Sequence, residues 1–159
     1  MKPLYELIVI GSSAGGMNAL STIISQLPVN FRIPIIIAQH SSPNSDDFLS
    51  KHLNEQTELN VNEADDKESI KNQTIYISPA NYHILIEKDK TISLGTFEHV
   101  NYARPSIDVL FESAADAYQK HLIGIILTGA NTDGTDGLLQ ISRNGGITIV
   151  QDPVTAQAK

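Results

Sequence analysis

The chain predicts an α/β protein: a parallel sheet with helices on both faces. Three observations carry this. Short apolar runs rich in branched residues, such as Leu7-Ile8-Val9-Ile10, have the length and composition of strands buried on both sides. Segments of helical spacing alternate with these runs, as in folds built on a parallel sheet. The first run ends in a glycine-rich turn, Gly11-Ser12-Ser13-Ala14-Gly15-Gly16, set directly before a helical segment.

The elements follow in order. Residues 7–10 form the first strand. Residues 15–27 repeat apolar side chains at Met17, Leu20, Ile23, Ile24 and Leu27, and Pro28 closes that helix. Residues 34–39 form a second strand, which runs into His40. Ser41 to Ser45 is a polar loop, and Ser45 or Asp46 is suited to cap a helix over about residues 46–55. Residues 59–63, 74–77, 83–86 and 91–94 are short strand candidates divided by turn signals at Pro79-Ala80-Asn81 and Lys88-Asp89-Lys90. This middle section is expected to add antiparallel strands or a hairpin at the sheet edge. Residues 106–119 read as a helix, with Pro105 at its start. Residues 122–127 form a third apolar strand. The polar loop from Thr128 to Gly137, a short helix to about Arg143 and a last strand over 147–150 complete the pattern.

Composition narrows the function. At 159 residues the chain is one domain, large enough for a real core. A formal net charge of −7 disfavours nucleic acid, which needs a basic surface, and anionic membranes. The absence of cysteine excludes disulfides, thiol chemistry and thiolate-bound metals. Nothing at Met1-Lys2-Pro3-Leu4 resembles a signal peptide, and no window approaches a membrane span, so a cytoplasmic protein is expected.

Ligands of open parallel sheets bind beyond the carboxyl ends of the strands. There the first strand delivers Ser13, the second His40, and the third a loop carrying Asp133. A hydroxyl, an imidazole and a carboxylate are the set that nucleophilic acyl transfer requires. Ser13 also fits the Gly-x-Ser-x-Gly pattern that exposes a nucleophile between strand and helix. The turn alone leaves a phosphate-binding role open. Met17 stands where a Walker loop has Lys, and Ser13 stands where a dinucleotide fingerprint has Gly. Asp136 competes with Asp133 as the carboxylate. Residues 131–137 fail as a calcium loop, lacking Gly at the sixth place and Glu at the twelfth. Capping of the following helix by Thr135 or Asp133 is the plainer alternative. His52, His83, His99 and His121 read as structural.

Several segments, in order along nearly the whole chain, are similar to the catalytic domain of CheB-type protein-glutamate methylesterases of bacterial chemotaxis. They are residues 9–16, Gln39-His40, Tyr76-Ile77-Ser78-Pro79-Ala80 with His83, residues 104–111, and residues 126–134. The resemblance implies a three-layer α/β/α sandwich with a mainly parallel, doubly wound sheet. It places the nucleophile at Ser13, the base at His40 and the carboxylate at Asp133. This Ser, His, Asp order differs from the Ser, Asp, His order of common α/β-hydrolases.

The implied reaction is removal of methyl groups from glutamyl γ-methyl esters on the cytoplasmic helices of chemoreceptors, with glutamine deamidation as a second family activity. The backbone N–H groups of Ala14 and Ala130 are the expected oxyanion donors. The family has another residue at the place of Ala130; a backbone donor survives that change. No metal or organic cofactor is expected, nor nucleic acid or membrane insertion, and a monomer is favoured. The family's receiver domain has no counterpart in residues 1–159, and family domains continue past the position of Lys159, so the chain reads as a shortened single domain. The competing readings are a serine hydrolase of small esters, a non-catalytic phosphate- or nucleotide-binding module, and a degenerate domain that only docks on receptors.

Overall fold

The computed structural model describes residues 4–13, 15–127 and 132–152. In chain order its strands are β1 (Leu7–Ser12), β2 (Ile35–Gln39), β3 (Asn60–Glu63), β4 (Thr74–Ile77), β5 (His83–Ile86), β6 (Ile92–Gly95), β7 (Leu122–Leu127) and β8 (Ile147–Val150). Its α-helices are α1 (Gly16–Ser25), α2 (Phe48–Asn54), α3 (Ile107–Tyr118) and α4 (Thr135–Arg143). The main sheet has the order β3-β4-β2-β1-β7-β8, and every pairing in it is parallel. The α/β class and the parallel sheet are as the alternating pattern predicts.

Strand periodicity divides the core in two. Leu7, Val9, Ile36 and Ala38 face one side, where they pack with Ile107, Leu110, Phe111, Ala114 and Ile141 from α3 and α4. Ile10, Ile35, Ile37 and Ile75 face the other side, against Leu20 and Ile24 of α1 and Leu53 of α2. Successive side chains of a strand point to opposite faces, so the unbroken branched runs feed both layers at once. Each such side chain, fully buried, contributes roughly 1.5–3 kcal/mol of transfer free energy, most of it offset by chain entropy.

The middle section divides where the sequence suggested one antiparallel group. β3 and β4 join the main sheet in parallel, whereas β5 and β6 form a separate antiparallel hairpin. The turn after β4 passes through Asn81 at φ 66° and carries the chain off the sheet. Ile84, Ile86 and Ile92 of the hairpin then join the α3 side of the core, and the Ile86 N–H donates to Ser113 Oγ at 2.9 Å. The hairpin therefore covers a face instead of extending an edge.

The strand order turns back beside β1. β2, β3 and β4 lie on one side of it, and β7 and β8 on the other. This reversal opens a crevice at the carboxyl ends of the strands, where α/β sheets place ligands.

Candidate active site

The crevice is built first by backbone. Gly15, at φ 79°, turns the chain sharply after β1, and the Gly16 N–H donates to Ser13 O at 3.0 Å. A Cβ at Gly11 would collide with the Ile107 side chain, so a bare Cα lets the start of α3 sit against the end of β1. The β1–β2 register pairs Ser12 with Gln39, and the His40 N–H prolongs the ladder to Ser12 O at 2.8 Å. Ser13 and His40 are thus the next residues on two adjacent strands. The Gln39 side-chain amide donates to His40 O at 3.1 Å and, more weakly, to Ser13 O at 3.4 Å. Ser13 is buried.

His40 and Asp133 meet. Nε2 of His40 lies 2.7 Å from Asp133 Oδ2, with the carboxylate fully buried and the imidazole 15% exposed. An ionised carboxylate only accepts, so Nε2 carries the proton and the neutral ring keeps its lone pair on Nδ1. Asp133 Oδ1 accepts from Ser106 Oγ at 2.8 Å, Asn101 Nδ2 at 3.0 Å and the Asp108 N–H at 3.0 Å. Its Oδ2 also accepts from the Ile107 N–H at 2.6 Å. Burial pushes the Asp133 pKa up, but these donors, His40 foremost, outweigh it and hold the pKa down at about 2. Its charge is further favoured by the N-terminal end of the α3 dipole.

Asp108 makes the converse contact. Its Oδ1 accepts from the Gly134 N–H at 3.0 Å and the Gly137 N–H at 2.7 Å, at the start of α4. Its Oδ2 accepts from Asn101 Nδ2 at 2.7 Å. So Asp133, ahead of α4, caps α3, while Asp108, in the first turn of α3, caps α4. The plainer reading of the 131–137 loop is corrected by this exchange. The α4 cap position is Gly134 with no side-chain cap bond, and neither Thr135 nor Asp133 serves there. Burial pushes the Asp108 pKa up, against hydrogen bonds from Gly137 and Asn101 that lower it. Asp136 is exposed. Ala14 and Ala130 lie outside the described residues.

Two clefts flank His40. One, of about 450 Å³, runs toward Met17, Phe48 and Ser78. The other, of about 430 Å³, runs toward Pro43, Asn101, Tyr102 and Arg104. Among the described residues no group of three or more His, Asp or Glu side chains is arranged to hold a metal ion.

The family model for CheB methylesterase matches residues 8–159. This chain belongs to the CheB methylesterase family. A crystal structure of the CheB methylesterase catalytic domain of Thermotoga maritima superposes with a TM-score of 0.92 at 35% identity, covering 97% of this chain and 83% of that one. A Leptospira interrogans protein (serovar copenhageni), provisionally named protein-glutamate methylesterase/protein-glutamine glutaminase, is 54% identical over 153 residues. That match covers 96% of this chain and 79% of the relative. The Trichodesmium erythraeum protein named for the same two activities is 38% identical over 154 residues, 95% of this chain and 44% of that protein.

His83, His52 and His121 of this CheB-family chain make structural contacts. His83 is buried, donates Nε2–H to Glu98 O at 2.9 Å and accepts the Ser106 N–H on Nδ1 at 3.2 Å. Burial, ahead of the Glu98 contact that opposes it, lowers its pKa and keeps it neutral. His52 meets Ser21 Oγ at 3.2 Å and stacks on Phe48. Asn101 and Asp108 were not among the residues singled out. The available signal was an acid in a predicted first helical turn, which usually serves its own helix.

Proposed function

We propose that this protein is a serine hydrolase that removes methyl groups from glutamyl γ-methyl esters on chemoreceptor cytoplasmic helices, working in the cytoplasm in chemotactic adaptation. The observation that carries the reading is the His40–Asp133 contact at 2.7 Å beside Ser13, within a CheB-family fold. Among the described residues no helix is long and apolar enough to cross a membrane.

In this mechanism Ser13 Oγ attacks the ester carbonyl carbon and its proton passes to His40 Nδ1. Asp133 holds the ring by Nε2 and stabilises the imidazolium. The tetrahedral intermediate collapses, and His40 protonates the departing methoxide to give methanol. Water then attacks the acyl-serine, giving its proton to His40, and glutamate leaves with Ser13 restored. Glutamine would enter the same path with ammonia as the leaving group. The backbone N–H groups of Ala14 and Ala130 are our candidates for the oxyanion donors.

Methanol release from a methylated receptor cytoplasmic fragment tests the reading. The purified protein is expected to release it, and Ser13→Ala to lose several powers of ten in kcat. Hydrolysis of p-nitrophenyl esters without release from the receptor would instead favour a small-ester hydrolase.

A further inference from the structure

Val100 and Ala103 exchange both backbone hydrogen bonds at 3.0 Å, leaving Asn101 and Tyr102 as a two-residue loop. Both loop residues are left-handed, at φ 54° and 62°. Two successive positive φ values mark the type I′ class of hairpin turn, whose preferred pair is Asn-Gly. Asn101 suits its place. Tyr102 does not, because a bulky side chain at positive φ is sterically disfavoured. Among the described residues no contact compensates, since Tyr102 has a relative exposure of 102%. Folding stability therefore gives no reason for an aromatic residue here.

Its position does give a reason. The Asn101 amide is bonded to both Asp133 and Asp108, which fixes the turn to the carboxylate that pairs with His40. Directly after the turn, Arg104 is clamped by Asn81 Oδ1 and by the carbonyls of Thr96 and Phe97. A rigid base thus presents the Tyr102 ring at the mouth of the cleft that His40 also lines. A chain of net charge −7 exerts no attraction on a glutamate-bearing helix. Affinity for such a segment has to come from contact, and an exposed tyrosine supplies a large, stiff, amphipathic surface at low entropic cost.

We propose that Tyr102 is a substrate-docking residue, whose ring packs against the polypeptide segment bearing the glutamyl ester and holds the ester at Ser13 and His40. The proposal rests on the methylesterase reading and names the element that grips its protein substrate. Tyr102→Gly tests it, because that change installs the preferred turn pair. The melting temperature is expected to rise by roughly 2–4 °C. KM for a methylated receptor fragment is expected to rise at least about fivefold, with kcat changed less than about twofold. Tyr102→Phe, which keeps the ring, is expected to retain KM. A glycine variant whose KM stays within twofold of wild type overturns the proposal, as does a loss confined to kcat or a fall in melting temperature. These outcomes require wild-type turnover; a wild-type protein that releases no methanol from the receptor overturns the functional reading, and this proposal with it.

Discussion

His40 uses Nε2 for Asp133, so whatever proton it takes in turnover must enter at Nδ1. Asp133 sets that tautomer. An amide in its place would present a donor or a weaker acceptor and release the ring to the wrong form. Asp133→Asn is therefore expected to lower kcat by about 10³–10⁴-fold, while Asp136→Asn, at an exposed position, stays within about twofold. Methanol release by the two variants, with circular dichroism as the check on folding, distinguishes them; reversed outcomes would mean the wrong carboxylate. At this scale the meeting of His40 and Asp133, with Ser13 on the neighbouring strand end, was legible because strand ends in a parallel sheet converge on one rim. Asp108 and Asn101 were not. Their roles arise from the approach of the α3 and α4 starts, and no spacing in the sequence encodes that approach.

The two helices exchange caps, so neither start is independent of the other. Removing the Asp108 carboxyl leaves the Gly134 and Gly137 N–H groups and the Asn101 amide without that acceptor. Asp108→Ala is expected to cost about 1–3 kcal/mol in urea unfolding, and Asp108→Asn, which keeps an acceptor oxygen, clearly less. Equal losses would mean that the charge, rather than the hydrogen bonds, holds the pair. Elements whose patterns are self-sufficient were readable in the sequence: residues 74–77, 83–86, 122–127 and 147–150 are strands with the expected limits. The hairpin's placement was not readable. Ile84, Ile86 and Ile92 alternate equally well for a sheet edge or for a face on α3, and only tertiary packing chooses. The α2 start shows the same limit on a smaller scale. Asp47 is its cap residue, while the oxygen bonded to the Phe48 N–H, at 3.0 Å, belongs to Asp46.

Over the whole molecule, the reading of alternating strands and helices holds because every main-sheet strand is parallel and helices pack on both faces of the sheet. The same burial makes stability depend on pH. His83 has a folded pKa below its ordinary 6.5, so the unfolded chain takes up its proton first. Its contribution is complete above about pH 6.5 and falls as the pH drops from there toward the folded value. Asp133 follows at lower pH. Its pKa of about 2 against 3.8 contributes about 2 kcal/mol above pH 4, which is lost as the pH falls toward 2. Asp108 and Glu112, both raised by burial, act in the opposite sense and partly offset the decline. The His83 share is isolated by difference. Urea midpoints of wild type and His83→Gln are expected to draw closer as the pH falls from 7 to 5, and parallel curves would contradict this.

Catalysis by the proposed route needs Ser13 to be an activated hydroxyl served by His40. A fluorophosphonate probe followed by peptide mapping tests it most directly, since the reagent reports activation without any receptor. The expected result is one adduct, on Ser13, that disappears in His40→Ala. A folded protein that stays unlabelled, or carries the adduct on another serine, would contradict the account.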